Sequence, residues 1–392
     1  MSPTVTPNVP GTIRADPICD LVLLSWNQWE QTGPCLETLF QNTIIPSRLF
    51  IVDNASEQPV RAFLSDVKPQ GAILEVRLLQ NEKNEGFPKG MNRGIQESTA
   101  PFVCLLNNDL RFTKGWLKEL LDIARSNPTI GVLNPSSSTF GKIPPRGVSL
   151  QEYAESLQSR HGQFTEVGMC IGFCMLIKRE VLTRIGRLTE EVERIFFEDE
   201  DFCMRVQAAG YQCVVAEASY VYHAEHKTVR HMPEREALFE RNQRWCHKKW
   251  GRWLRVAWPQ VRPLVPHSEP LRQWLQQVLE LVKNRTYVYV YCPVSVSLTK
   301  EAAFRSVNLT VHADVHWHRI AGFLPSWIAT GWILKRQKKH FDIIIAPTVR
   351  WQKILEFLRW RHRAHVILEG DSHRLQELMS LLRGPVKEQR MP

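Results

Sequence analysis

Phe102-Val103-Cys104-Leu105-Leu106-Asn107-Asn108-Asp109 is an unbroken apolar run that stops abruptly at three polar residues. Five consecutive apolar side chains without alternation suit a strand covered on both faces, as in a parallel sheet. The same form recurs on either side. Cys19–Ser25 and Arg48–Val52 read as buried strands and Ile73–Leu79 as a further one. Helical spacing separates them at Trp29–Gln41, Val60–Lys68 and Gly90–Ser98. Strands alternating with helices predict a doubly wound, mostly parallel α/β sheet whose ligands gather at the strands' carboxyl ends. Polar residues stand at those ends: Ser25, Asp53-Asn54 and Asn107-Asn108-Asp109.

Further along, Trp116–Ser126 reads as a helix. Asn134–Gly168 is rich in Ser and Pro and reads as a long mobile or substrate-facing loop. Cys170–Ile177 is a predicted strand and Arg179–Ile185 a helix, and a second helix runs to Ala209 from an acidic cluster after Phe196. Gln212–Ala216 and Tyr220–His223 read as short strands, and Pro233–Trp253 as a long helix. Pro259, Pro263, Pro266 and Pro270 mark a linker. Beyond it, Thr286–Tyr291, Asn308–Ala313, Phe341–Ala346 and Ala364–Leu368 read as strands, with helices at Thr348–Arg361 and Ser372–Leu382. The expected division is a flexible N-terminus (1–18), a main domain (19–258), a Pro-rich linker (259–270) and a smaller basic α/β domain (271–392).

The 392 residues are 43% hydrophobic and 23% charged, which excludes a fibrous or wholly disordered chain. The formal net charge of +10 is unevenly spread. Pro270–Pro392 holds 19 Lys and Arg against 9 Asp and Glu, whereas Met1–Glu269 holds 31 of each. Nine cysteines without a C-x-x-C pair favour a reducing cytosol. Met1–Ile18 has no apolar core of a signal peptide, and no stretch has the roughly 18 apolar residues of a spanning helix. The longest candidate, Ile320–Leu334, is shorter and contains Pro325. A cytoplasmic protein, soluble or peripheral at the inner face of the membrane, is expected.

Four groups of residues carry possible chemistry. Asn107-Asn108-Asp109 is either a polar turn or a strand-end carboxylate able to hold Mg²⁺ or Mn²⁺ against a diphosphate. Glu198-Asp199-Glu200-Asp201 is either an acidic helix N-terminus complementing the macrodipole or the source of a general base. On a helix Glu198 shares a face with Phe202 and Asp199 with Cys203, and Arg205 can pair with Asp201 on the surface. His223 is a structural histidine or a metal or phosphate contact, and His226, Lys227 and His231 follow it in a basic loop. The Gly-containing stretch Asn84–Asn92 offers backbone N–H groups and Lys89 to an anion, without Walker or G-x-G-x-x-G spacing.

Taken in order, these motifs resemble glycosyltransferase family 2, inverting enzymes of GT-A fold, and particularly its rhamnosyltransferase-like members. The residues carrying the resemblance are Val22–Asn27, Ile51–Ser56, Asn81–Gly94, Leu106–Asp109, Gly172–Arg179, Phe196–Arg205, His223 and Lys249-Trp250-Gly251. The resemblance implies a GT-A domain, Rossmann-like, followed by the smaller α/β domain. It implies that Asp53 reads the nucleotide base, with Ser25 and Asn27 lining that pocket. Asn54, Asn84, Gly86, Asn92 and Asn108 would border the nucleotide-sugar. Asp109 and His223 would hold Mn²⁺ or Mg²⁺, although Asn-Asn-Asp leaves one carboxylate where stricter D-x-D motifs have two. Asp199 would be the catalytic base, with Glu198 and Asp201 as supporting acids. The implied partners are a nucleotide-diphosphate-sugar donor and a glycan or lipid-linked acceptor. A nucleotidyltransferase, or a scaffold protein with a degenerate site, are the competing classes.

The basic back third lies outside the resemblance. Lys335-Arg336, Lys338-Lys339 and Arg359–Arg363 are interleaved with Trp327, Trp332, Trp351 and Trp360. This pattern suits an anionic membrane surface or a solvated face over a Trp-containing core. Nucleic acid is the least favoured partner, since no recognition motif accompanies the charge.

Overall fold

The computed structural model describes residues 16–225, 234–260, 264–293, 298–320, 331 and 340–384. His226, Lys227, His231, Pro263, Trp327, Trp332, Lys335-Arg336 and Lys338-Lys339 lie outside the described residues, as do most of the expected N-terminal segment and of Ile320–Leu334.

The front part alternates β1 (Cys19–Ser25), α1 (Trp29–Asn42), β2 (Ser47–Asp53), α2 (Gln58–Ser65), β3 (Ile73–Gln80), α3 (Phe87–Glu97) and β4 (Phe102–Asn107). It continues through β5 (Leu110–Phe112), α4 (Trp116–Ser126), β6 (Ile130–Ser136), α5 (Leu150–Ser156), β7 (Phe164–Glu166), β8 (Cys174–Lys178) and α6 (Arg179–Ile185). It ends with α7 (Glu198–Ala208), β9 (Gln212–His223) and α8 (Arg235–Trp250). One sheet holds these strands in the order β3-β2-β1-β4-β8-β6-β9-β5, with β7 added beside β9. The first four strands are parallel, and β8 enters antiparallel to β4. Val22, Leu23, Ile51, Val52, Leu105 and Leu106 are wholly buried, as strands packed on both faces require.

The back part forms a second, wholly parallel sheet from β10 (Leu254–Pro259), β11 (Thr286–Pro293), β12 (Val315–Ile320), β13 (Ile343–Ala346) and β14 (His365–Leu368). Its helices are α9 (Glu269–Lys283), α10 (Lys300–Ser306), α11 (Val349–Phe357), α12 (Arg359–His362) and α13 (Ser372–Arg383). The strand order β12-β11-β10-β13-β14 is a doubly wound arrangement.

Several sequence expectations change. Leu254–Pro259, assigned to the first domain by a boundary at 258, is the middle strand of the second sheet. Its pairing with β11 and β13 moves the start of the back unit ahead of the prolines. Asn308–Ala313 is not a strand; pairing falls on Val315–Ile320 instead. Gln212–Ala216 and Tyr220–His223 are one continuous strand, β9. Asn134–Gly168 contains the last turn of β6, the helix α5 and the strand β7, so it is more regular than the loop expected.

The two units are fastened by backbone hydrogen bonds. Glu166 N–H donates to Val311 O at 2.8 Å and Ala313 N–H to Glu166 O at 2.8 Å, next to a Glu166–His312 bridge. All nine cysteines are buried free thiols.

Candidate active site

The turn after β4 delivers Asp109 into β5, whose Leu110 pairs in register with His223 at the end of β9. That register brings Asp109 Oδ1 to 3.2 Å from His223 Nε2. The imidazole is fixed on its other side, where Nδ1 shares a 2.8 Å hydrogen bond with Thr139 Oγ1. Its ring stacks on Phe173, with centroids 5.0 Å apart. Ser138 Oγ accepts the His223 N–H at 3.0 Å and donates to the His223 carbonyl at 2.9 Å. The segment expected as an open loop therefore grips the histidine. Nothing in the spacing of Ser138 and Thr139 announced this.

Asp199 approaches from α7. The segment before it holds three non-glycine residues at left-handed φ: Arg194 (55°), Phe196 (79°) and Phe197 (72°). Such conformations persist where the surroundings over-determine them. Asn242 of α8 does so here, donating to Glu193 O at 3.0 Å and Ile195 O at 2.9 Å. Gly86 presses on the same segment: at φ 81°, an added Cβ would lie 2.5 Å from Arg194 Cα. Asp199 Oδ1 accepts the Glu200 N–H at 2.8 Å and Oδ2 the Gly172 N–H at 3.4 Å. Burial raises the Asp199 carboxyl from 3.8 to about 6, against the lowering effect of those N–H groups. Burial first, and the Asp199 charge second, push Glu198 well above the ordinary carboxylate range.

A cavity of about 300 Å³ contains Glu198, Asp199 and His223 and is walled by Phe87, Phe173, Phe196, Phe197 and Phe239. These phenylalanines come from four separate stretches of chain. No local spacing connects them, which is why sequence reading missed them.

The remaining acids of the cluster have other tasks. Glu200 Oε1 accepts from Arg285 Nη2 at 2.5 Å and Trp253 Nε1 at 2.7 Å, tying α7 to the back unit. Asp201 is fully buried and meets Arg205 Nε at 2.9 Å, Lys249 Nζ at 2.8 Å and Trp250 Nε1 at 2.9 Å. The Arg205 pair expected on the surface is therefore anchored on a buried acid.

At the other strand ends, Asp53 is buried, with Oδ1 accepting the Ser56 N–H at 2.9 Å and Oδ2 3.5 Å from Arg61 Nε. Asn27 N–H donates to Ser56 Oγ at 2.8 Å, and Ser25 Oγ lies 3.3 Å from Thr32 Oγ1. Asn108 Nδ2 donates to the same Thr32 hydroxyl at 2.9 Å. Asn54 is a hub: its Nδ2 donates to Asn84 Oδ1 and Gly86 O, and its Oδ1 accepts from Asn81 Nδ2 and Glu85 N–H. Asn92, expected to border the donor, has its amide committed to Leu188 and Glu190. It ties α3 to the strained loop. The structure thus gathers Asp109, His223, Glu198 and Asp199 along one crest, while Asp201 and Asn92 support it from behind.

A carboxylate oxygen and an imidazole nitrogen facing each other at 3.2 Å suit Mg²⁺ or Mn²⁺, which take few protein ligands and leave positions for phosphate. Among the described residues no three His, Cys, Asp or Glu side chains surround one point. The donor groups at this end of the sheet, among the described residues, are the Asp109 carboxylate and the His223 imidazole.

Residues 20–186 match the family described as Glycosyl transferase family 2. An uncharacterized protein, y4gI, of Sinorhizobium fredii is 24% identical over 276 residues, which cover 63% of this chain and 30% of that one. The succinoglycan biosynthesis protein ExoM of Rhizobium meliloti is 23% identical over 279 residues, 71% of this chain and 82% of its own. An N-acetylglucosaminyl-diphospho-decaprenol L-rhamnosyltransferase of Mycobacterium tuberculosis is 25% identical over 219 residues, 45% of this chain and 70% of its own. The part of this chain that is similar to glycosyltransferase family 2, residues 20–186, carries Asp53 and Asp109, and Asp199 lies just beyond it on α7. The chain spans less than a third of the length of the S. fredii relative.

Proposed function

We propose that this protein transfers a glycosyl group from a nucleoside-diphosphate sugar to an acceptor hydroxyl, inverting the anomeric carbon by direct displacement. The observation carrying this reading is the Asp199 carboxylate, buried in an aromatic-walled cavity that also contains His223. With its carboxyl raised to about 6, Asp199 is ionised near neutrality yet basic enough to take a proton from an incoming hydroxyl. Glu198 lines the same cavity, and burial together with the Asp199 charge pushes its carboxyl well above the ordinary carboxylate range. The N–H groups of Gly172 and Glu200 hold the carboxylate in place for that transfer.

Asp109 and His223 are the residues that would hold Mn²⁺ or Mg²⁺. When bound, such an ion supplies positive charge to a departing diphosphate. Asp53, Ser25 and Asn27 form the base-proximal end of the donor site. Asn54, Asn84, Gly86 and Asn108 shape its edge, and Asn92 acts through the loop it clamps.

A role in surface-glycan synthesis and a lipid-linked acceptor follow by analogy with the R. meliloti and M. tuberculosis relatives. Phe357 and Trp360, 81% and 70% exposed beside Arg359 and Arg361, support contact with an anionic membrane surface. Trp351 is only half-buried, and no described helix is long and apolar enough to cross a membrane.

The test is a panel of nucleotide-sugars assayed for release of nucleoside diphosphate and for product anomeric configuration, with Mn²⁺, Mg²⁺ or chelator. One donor should be turned over with inversion, and chelation should stop it. A chain that binds donors without turning any over would instead be a nucleotide-sugar-binding protein.

A further inference from the structure

Between the two units lies a cavity of about 470 Å³, apart from the aromatic one that contains Asp199. The front unit supplies Met204 of α7, Tyr211 and Trp250 of α8 as an apolar wall, beside Gln207 and Gln212. The back unit supplies Lys283 at the end of α9, Arg285 just after it and Arg383 at the end of α13.

Arg285 is the unusual member. It is 5% exposed; Nη2 donates to Glu200, and the guanidinium carbon lies 5.3 Å from the Trp253 ring centre. Its Nε and Nη1 have no hydrogen-bond partner among the described residues, and neither has Arg383 Nε. A buried guanidinium with unmade hydrogen bonds is costly, and a ligand that accepts them removes the cost. Glu200 balances the Arg285 charge, which leaves Lys283 and Arg383 as the lining cations to be matched. Burial pushes the Cys246 thiol up to about 12, so it is neutral beside Arg285. Glu166, the one carboxylate in the lining, is raised by burial although Lys283 opposes the shift. Arg383 is driven down to about 10, by burial first and by the Arg285 charge second. His312 also lines the cavity; its Nδ1 accepts the Asp314 N–H at 3.2 Å, which leaves the ring hydrogen on Nε2 as a donor.

We infer that this junction cavity is a binding site for a phosphate-bearing anion, held by Arg285, Arg383 and Lys283 with its organic part against the apolar wall. Guanidinium forks match phosphate oxygens in pairs, and the volume fits a phosphorylated small molecule or headgroup better than a bare halide. The site stands apart from the proposed donor site, and it reaches the first turn of α7 through Arg285–Glu200 and Trp250–Asp201.

The experiment uses the full chain in chelator at fixed ionic strength, so that no metal-borne phosphate binds at the front crest. Inorganic phosphate and pyrophosphate are titrated while thermal unfolding is followed, and pelleting with phosphatidic acid vesicles is compared with neutral phosphatidylcholine vesicles. Pyrophosphate should raise Tm saturably, equally in wild type and in Asp53→Asn, and the Lys283→Gln/Arg383→Gln variant should bind at least tenfold more weakly. That double variant leaves the Arg285–Glu200 pair intact but removes the Arg383 bonds to Asn284 O and Thr286 Oγ1, so each shift is read against the variant's own unliganded Tm. Pelleting with phosphatidic acid that the double variant abolishes would make the source a lipid headgroup. Stabilisation by pyrophosphate without pelleting would make it a soluble phosphorylated ligand. Absence of saturable stabilisation and of selective pelleting, or binding lost in Asp53→Asn and kept in the double variant, overturns the site.

Discussion

Two neighbouring carboxylates on one helical turn meet opposite surroundings. Asp199 faces the aromatic cavity with only backbone N–H groups on its oxygens, whereas Glu200 faces the back unit and is taken by Arg285 and Trp253. Glu200 is buried and Asp199 is partly buried at the cavity, a smaller difference than the one between their partners. The difference is the cation. Where a guanidinium lies 2.5 Å away, the acid is a fastener; where none is in contact, the acid is left free to trade a proton. The same contrast runs across the molecule, from an acidic crest on the front sheet to a cationic junction behind it.

Four changes would break or sharpen that contrast. The largest effect is expected for Asp109→Ala, which should lower kcat/KM by roughly 10³-fold and abolish the response to Mn²⁺ or Mg²⁺. An unchanged metal titration would remove Asp109 from the site. Glu200→Ala leaves Arg285 buried without its carboxylate partner and should cost about 3–5 kcal/mol of stability in denaturant titration. A loss below about 1 kcal/mol would mean that the junction is not held this way. Gly86→Ala forces a Cβ against Arg194 at a left-handed φ and should cost about 1–3 kcal/mol. It should also lower turnover, because the strained loop leads into Asp199. The smallest effect, no measurable change in Tm, is expected when the exposed Lys118–Asp122 pair is removed by Lys118→Ala.

Protonation gives a further handle on the same pair of acids. Asp199 must be ionised to accept a proton, so activity should fall on the acid side with an apparent pKa near 6, belonging to the Glu198–Asp199 pair. Because the folded-state value lies above the unfolded one, ionisation of Asp199 destabilises the fold. That stability is present below about pH 4 and is lost as pH rises through about 6. Asp199→Asn should therefore melt higher than wild type at neutral pH, and the difference should vanish in acid.

Much of the front sheet was legible because Leu21–Leu24, Leu49–Val52 and Phe102–Leu106 are continuous apolar runs ending in polar residues. Asp109, Asp199 and His223 were legible as isolated polar residues at element ends. Their assembly was not, because it depends on the β5–β9 register and on Ser138 and Thr139 closing over the imidazole. Strand β10 was hidden between the Arg- and Trp-rich helix read as ending at Trp253 and the prolines from Pro259, where Leu254–Trp258 is a short apolar run interrupted by Arg255. The +10 charge pointed to the back third, and its local meaning at Arg285 came only from the partners missing around that side chain.

The central claim is that Asp199 is the group that takes the acceptor's proton. The most direct measurement compares Asp199→Asn with wild type for glycosyl transfer and, in parallel, for nucleotide-sugar affinity by calorimetry. The expected result is a loss of transfer of about 10³-fold or more, with donor affinity unchanged and the acid limb of the pH profile gone. Full transfer activity in the asparagine variant would contradict it.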